Sequence, residues 1–542
     1  MRYLPPPCGC RYCVVFGSDC RFPPLGQLLP NRVWLLPTII FLALGSAVVS
    51  NKSPWCDEGW FACPAHQMAF HGPSGTPVLE PTGHYLDRRL DGIERRTLVV
   101  PPLHLVLLAC WYRVWGPGLS VPRFYGLLWG FGGLLVLGAL VHWTWRKRRL
   151  TLLFMLLLSV DLTYLWASAD VRMDIQTATL SWASWLTYLL LRKKSVRLAA
   201  GLSNICVALA ALHHPNAIYG ALGLLCVFLI LDRQKFDVRV LVYSTIPYLL
   251  AAAFWAYWIA PDWDLFRIQF GANLAGRASI RTRYLAKPWE MLWLEVAIRY
   301  LAAYGVRPVW LGTVPSLFQT IPFVYGAVLI VLTVQARRMT KGRTLALIVL
   351  CGTQILVFTF LMSFKAQNYL VYLAPLWDIW LARSLWTLGR RGGYPRIVAV
   401  VLAACFTIAH LTALAAKGIE APRRTQFDAA RAELSRLRAP QETLWAPTYW
   451  GVDSDFQGYK EDIRLGYHTG ERRDWIVLDH WNAYYDSLFA IEEVAVGRYV
   501  YNLLEKEYRL GATFGEYRIY HRLKNQNSNQ KTKEKTLDAR LH

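Results

Sequence analysis

Long unbroken apolar runs constrain this chain more than any other feature. VWLLPTIIFLALGSAVV begins at Val33, LALIVLCGTQILVFTF at Leu345 and IVAVVLAACFTIAHLTALA at Ile397. Each approaches the roughly 20 residues that cross a hydrocarbon core as a helix. Lipid offers backbone amides no partners, so such runs must be helical. Buried helices of a large soluble enzyme would explain one or two runs, but not eleven. The composition agrees, at 54% hydrophobic residues and a mean hydropathy of +0.25 over 542 residues. The expected spans are 33–50, 121–143, 150–168, 174–191, 197–213, 216–231, 239–259, 317–336, 344–363, 369–387 and 395–416.

The formal charge of +23 raises the question of nucleic acid, and the placement of the basic residues answers it. They cluster between the apolar runs, at Arg146–Arg149, at Arg192, Lys193, Lys194 and Arg197, at Arg337, Arg338, Lys341 and Arg343, and at Arg390, Arg391 and Arg396. This is the positive-inside pattern, and it makes nucleic acid an unexpected partner. With the N-terminus in the cytoplasm, all four clusters fall inside and an odd number of spans sends the C-terminus outside. Two further apolar stretches, 101–116 and 289–310, read as helices on the outer interface, because one opens with Pro101-Pro102 and the other carries Glu290, Glu295, Arg299 and Arg307.

The expected organisation has four parts. Residues 1–32 form a disordered cytoplasmic leader containing Cys8, Cys10, Cys13 and Cys20, in a spacing that fits no standard zinc pattern. Residues 33–416 form the membrane domain, with a first external loop over 51–120. Residues 417–523 form a small α/β domain outside the membrane, with strand-like TLWAPTYW (443–450), WIVLD (475–479) and YRIYHRL (517–523), and helical periodicity at 427–437. Residues 524–542 are a polar, disordered tail. Cys56 and Cys63 are positioned to pair in an oxidising compartment.

Three polar features fall on the external face. Asp57-Glu58 follows the first span, where a carboxylate pair can act as a general base or hold a divalent cation, or be simply solvated. Asp170-Val171-Arg172-Met173-Asp174 stands at the junction of the third and fourth spans, where ionisable groups are costly unless paired or used. A basic set, Arg267, Arg277, Arg281, Arg283, Lys287 and Lys365, opposes the positive-inside trend and suits phosphate or anionic headgroups. His213-His214-Pro215-Asn216, at the same face, reads as a polar helix break. Together, a base and phosphate-binding cations suit attack by an acceptor on a phosphate-activated sugar.

The order of these pieces resembles the protein O-mannosyltransferase-like membrane glycosyltransferases, family 39 of the GT-C class, whose bacterial relatives include the aminoarabinose transferases of lipid A modification. The resemblance rests on Asp57-Glu58, Pro101-Pro102-Leu103, VPRFYGLLWG from Val121, Arg172-Met173-Asp174, and Lys365 followed by Tyr369–Pro375, and it spans roughly residues 33–390. It implies an all-α polytopic membrane fold of about 11 to 13 transmembrane helices with the small α/β domain appended. It implies a plasma-membrane enzyme of the cell envelope that transfers a sugar, with inversion, from a polyprenyl-phosphate donor to a lipid, glycan or protein acceptor. Carried over, Asp57 is the catalytic base, and Glu58 and Asp174 support it. Lys365 contacts the donor phosphate with Arg172 nearby, Arg277 and Arg281 of the outer basic set are expected to join them, and Asp57 with Asp174 form the candidate site for a divalent cation. Val100 departs from the Lys or His often found before the proline pair. Two other readings stand beside this one: a transporter or flippase of a lipid-linked sugar, which would need ionisable groups at mid-membrane depth, where only Asp161 is expected, and an assembly scaffold.

Overall fold

The computed structural model describes residues 34–83, 87–272, 274, 287–305, 317–339, 342–362, 367–420, 422–479 and 494–523. The cysteine-bearing leader and the polar tail lie outside them. Every one of the eleven expected spans coincides with a helix. These helices are α1 (Leu35–Asn51), α4 (Ser120–Trp145), the pair α5 (Arg148–Val160) and α6 (Leu162–Ser168), α7 (Asp174–Leu191), α8 (Val196–His213) and α9 (Ala217–Leu231). They continue with α10 (Val238–Ile259), α11 (Ile321–Met339), α12 (Gly342–Leu361), α13 (Ala374–Gly389) and α14 (Gly393–Glu420). Five helices are each long and apolar enough to cross a membrane alone, six counting the bent pair, and others are shorter or more polar. The molecule is a multi-pass membrane protein. The stretch after Pro101 forms α3 (Pro102–Trp115), with proline at its first turn, where a missing N–H costs nothing.

The third span is broken, and Asp161 is the cause. Its carboxylate accepts the backbone N–H of Tyr164 at 2.8 Å and caps α6. The two helices meet at a bend of 64°. His410 of α14 stands 3.6 Å from the same carboxylate and accepts the Leu162 N–H at 2.9 Å. Asp161 is not the only charge buried among the spans. Asp378 of α13 is fully buried as well and takes a hydrogen bond from Tyr325 at 3.3 Å. The bend aims the segment after α6 back across α4, where Gly126 leaves room. A Cβ there would overlap the carbonyl oxygens of Ser168 and Asp170.

The C-terminal part contains a four-stranded sheet in the order β1-β2-β4-β3, where β1 is Leu444–Trp445, β2 Trp475–Leu478, β3 Tyr508–Phe514 and β4 Tyr517–Arg522. β1 pairs with β2 in parallel, and the other pairings are antiparallel. α15 (Ala429–Leu437) matches the expected periodicity, whereas β3 and α16 (Val494–Glu507) were not anticipated. This unit does not stand apart from the membrane domain. Ala62, Cys63, Leu105 and Tyr112 from the first external loop share one apolar core with Phe427, Tyr449, Trp450 and Tyr517. α2 (Cys56–Phe70) carries half of that interface. Cys56 and Cys63 are both free thiols, which corrects the expected disulfide. Seven residues along one helix separate their Cα atoms by about 10 Å, beyond the ~7 Å limit for a bridge.

Gly59 marks the tightest point of the interface. A Cβ at this position would overlap the backbone of Thr448 and Tyr449, which cannot yield as a side chain would. Gly59→Ala is therefore expected to destabilise the docked C-terminal unit by about 1–3 kcal/mol. Limited proteolysis should show faster cleavage between α14 and β1 in the variant than in the parent.

Candidate active site

The site is assembled where α1 ends. Lys52 is buried, with its ammonium 2.8 Å from Asp170 and 3.6 Å from Glu58. Arg123, in the first turn of α4, donates from Nε to Glu58 at 2.8 Å and from Nη2 at 2.6 Å. Its Nη1 donates to the carbonyls of Val49 and Lys52 at 3.1 and 2.6 Å. Both members of this pair are fully buried. Glu58 also accepts the Trp55 N–H at 3.3 Å, fixing the start of α2. Glu58 is thus turned into the protein. The expectation that it supports chemistry beside Asp57 meets a simple obstacle, since adjacent helical residues point about 100° apart.

Asp57 points the other way, toward Arg172. That guanidinium is ion-paired with Asp57 and donates from Nε to Asp174 at 2.8 Å. The rings of Trp55, Phe61 and Tyr369 surround it at 5.8, 5.9 and 5.7 Å from their centroids, within cation–π range. Asp174 opens α7, where the helix dipole favours a negative charge, and accepts the Tyr372 hydroxyl at 3.3 Å. Asp170 takes the Trp55 indole N–H at 2.9 Å and the Arg172 N–H at 3.2 Å. Four separate chain segments therefore meet within one hydrogen-bonded network.

The electrostatics differ between the two outer aspartates. Burial pushes the Asp57 carboxyl above its ordinary range, and the opposing pull of Arg172 does not fully offset it. Burial acts on Asp170 in the same direction, but there Lys52, Arg172 and Trp55 prevail and hold it below that range. Burial lowers the neighbouring His104 to about 3, so it is neutral at physiological pH.

Two clefts lie near Asp57, one reaching its partner Arg172 and the other its neighbour Cys56. One encloses about 670 Å³ and is lined by Trp166, Asp170, Arg172, Asp174, Asn368 and Lys417. The other encloses about 1400 Å³, lies on the C-terminal unit and reaches Cys56. The Cys56 thiol donates to Asp57 at 3.5 Å.

The structure brings together Asp57, Arg172 and Asp174, while Lys365, Arg277 and Arg281 lie outside the described residues. The segment after Lys365 does reach the site, through Tyr369 and Tyr372. Arg172 stands between Asp57 and Asp174 and already supplies their counter-charge, so the pair does not fit a divalent cation between its carboxylates. Among the described residues no group of three or more His, Cys, Asp or Glu side chains is arranged to hold a metal. Sequence reasoning missed Lys52, Arg123, Trp55 and Lys417. Arg123 lies within VPRFYGLLWG, and a fully buried arginine implies a buried acid, which was the available signal. His213 and His214 do form the expected break, between α8 and α9, with His214 accepting the Asn216 N–H at 2.9 Å.

This arrangement belongs to a recognisable class: the fold is that of the GT-C membrane glycosyltransferases. ArnT from Cupriavidus metallidurans, solved bound to undecaprenyl phosphate, aligns with 90% of this chain and 97% of its own at a TM-score of 0.54 and 13% identity. Its apo state gives 0.55 with the same identity and coverage. An Archaeoglobus fulgidus oligosaccharyltransferase tethered to an acceptor peptide aligns at 0.50 and 11% identity, covering 91% of this chain and 74% of that one. No family model and no curated protein matches the sequence.

The two adjacent acids are expected to behave oppositely when truncated. Glu58→Ala strands the Arg123 charge in a dry environment and should cost about 3–5 kcal/mol. Asp57→Ala removes a partly exposed ion pair and should cost about 1 kcal/mol or less. Thermal unfolding of the detergent-solubilised variants measures both.

Proposed function

We propose that the chain is an inverting glycosyltransferase that moves a hexosyl or pentosyl unit from a polyprenyl-phosphate donor to a lipid, glycan or protein acceptor. The observation that carries this reading is the ion-paired cluster of Asp57, Arg172 and Asp174, with Arg172 and Asp174 lining a cleft at the ends of the spans. The basic clusters at the opposite ends of the spans support a cytoplasmic placement for that side, and hence an external active site at the plasma membrane. The likeness in fold to a protein solved with undecaprenyl phosphate supports the same donor class.

In this mechanism the donor's phosphate enters the cleft lined by Arg172 and Lys417. An acceptor hydroxyl or amine attacks the anomeric carbon from the opposite side, and its proton passes to the Asp57 carboxylate. The bond between the anomeric carbon and the phosphate oxygen breaks, its electron pair leaves with the polyprenyl phosphate, and the guanidinium stabilises the developing charge. Burial makes Asp57 a stronger base than a solvated aspartate. Asp174 and Tyr372 keep Arg172 in place. Lys365, Arg277 and Arg281 are proposed to add to the phosphate site from the segments that carry them. The charge that a divalent cation would bring to Asp57 and Asp174 is supplied by Arg172, so no step passes through a metal.

Asp57→Asn is expected to lower kcat by about 10²- to 10⁴-fold while undecaprenyl phosphate binding is retained. A variant that folds, binds the lipid and keeps full transfer activity would overturn the assignment. The base must be ionised, so the rate should rise with pH on the acid limb. Because Asp57 is raised, that limb should sit above the ordinary aspartate value of 3.8. A pH–rate profile for kcat reads its midpoint directly.

A further inference from the structure

The larger cleft has a charge opposite to that of the chain as a whole. The sequence carries 59 basic and 36 acidic residues, yet among the described residues Glu461, Asp462, Asp479 and Glu505 line this cleft and Arg518 is its one basic residue. Three of these acids are buried and only Glu505 is exposed. Glu461 and Asp479 are 7% and 4% exposed. Glu461 accepts from the Thr448 N–H at 2.9 Å and from its hydroxyl, and Asp479 accepts the Tyr449 hydroxyl at 2.6 Å. Burial raises Glu461 to about 7.

A second observation is independent of the acids. Trp445 forms part of the same wall and is 1% exposed, yet its indole N–H has no acceptor among the described residues. Buried polar groups without a partner are rare in native proteins, and an indole N–H can only donate. Tyr501 and Tyr520 also line the cleft, supplying ring faces of the kind that attract both sugar rings and ammonium groups. The cleft ends at Cys56, whose thiol touches the Asp57 carboxylate.

We infer that this cleft on the C-terminal unit is the acceptor site, and that it takes an amine-bearing saccharide rather than a phosphorylated head group. Resting on the reading of Asp57 as the transfer base, the inference assigns donor and acceptor to the two clefts near that residue. The anionic donor lies with Arg172 and Lys417, and the cationic acceptor lies with the acidic wall of the larger cleft, where an ammonium group would favour the ionised form of Glu461. A phosphorylated head group would face like charges directly, and such juxtaposition is strongly unfavourable. Oxygen atoms of the saccharide would accept from Trp445 and Arg518, its hydroxyls would donate to Glu461 and Asp479, and its ammonium group would face Glu505.

The full chain in lipid nanodiscs tests this with three probes: the glucosamine trisaccharide, its N-acetylated neutral counterpart and glucosamine 6-phosphate. Binding is read by saturation-transfer NMR and calorimetry, and undecaprenyl phosphate binding is measured separately. The amine-bearing trisaccharide should bind at least tenfold more tightly than either other probe. Glu505→Lys, at an exposed position of this cleft and away from the residues assigned to the donor, should weaken that binding by tenfold or more and leave undecaprenyl phosphate binding unchanged. Equal binding of the charged and neutral trisaccharides, tighter binding of the phosphorylated sugar, indifference to Glu505→Lys, or no binding of any probe would each overturn the inference. Loss of undecaprenyl phosphate binding in the parent protein would instead count against the transferase reading, whatever the trisaccharides do.

Discussion

The buried pair of Glu58 and Arg123 is the interaction on which the remaining geometry depends. It joins the end of α1, the start of α2 and the first turn of α4 at one point, with Lys52 as the third charge. Two ions removed from water are tolerated only when their remaining lone pairs and protons are satisfied. Here the backbone carbonyls of Val49 and Lys52 complete the set. The cost of this buried charge is offset by a fixed direction for α2. Because that helix is fixed, the residue before Glu58 has no freedom to turn inward. The dipeptide Asp57-Glu58 therefore divides its labour by helix geometry: one carboxylate holds the structure and the other faces Arg172.

The charge balance around Asp57 sets a limit on what this centre can bind unaided. The network contains Asp57, Glu58, Asp170 and Asp174 against Lys52, Arg123 and Arg172, four acids to three bases. A phosphate entering such a centre gains nothing from its net charge. Attraction must come from further cations near the centre, and Lys417, over the Trp166 ring at the wall of the smaller cleft, adds one positive charge there. The external basic residues noted in the sequence supply the same sign of charge. On the proposed mechanism Arg172 would serve less as an anchor for the donor than as a preorganised positive charge near the reacting bond, where a low local dielectric makes it effective.

The fold was legible from the sequence because lipid leaves the backbone few choices. Every expected span became a helix, since apolar runs of that length have no other way to satisfy their amides. Where a polar residue competed with that rule, the outcome depended on tertiary contacts. Asp161 reads as one charge in a span, but its effect as a cap that bends the helix requires knowing that His410 of α14 lies beside it. The site was legible in part. Asp57, Arg172 and Asp174 stand out as ionisable residues at span ends, and the structure does join them. Lys52 and Arg123 were hidden by ordinary context, a lysine just past a span and an arginine at a span start, both common places for unremarked cations. The role of Glu58 was misread because adjacency in sequence does not mean adjacency in direction on a helix. In the C-terminal unit, β3 alternates weakly and is largely exposed, so it offers little apolar periodicity to detect.

The sharing of one core between the first external loop and the C-terminal sheet has a mechanical consequence. α2 carries Asp57 at its start, meets the membrane helices through Glu58, and meets Thr448 and Tyr449 through Gly59. Three consecutive residues thus connect the transfer centre, the membrane domain and the extramembrane unit. Any displacement of the sheet relative to the spans must move through this turn, where tight backbone contact leaves no compliant side chain to absorb it. Glu461 binds Thr448 directly beside that contact and also lines the larger cleft. On the proposed reading of the cleft, its occupancy and the position of Asp57 would be linked through these contacts. A distant, flexibly tethered domain could bring an acceptor near the membrane, but it could not hold that acceptor in register with the base. Integration of the C-terminal unit into the core at α2 supplies that register.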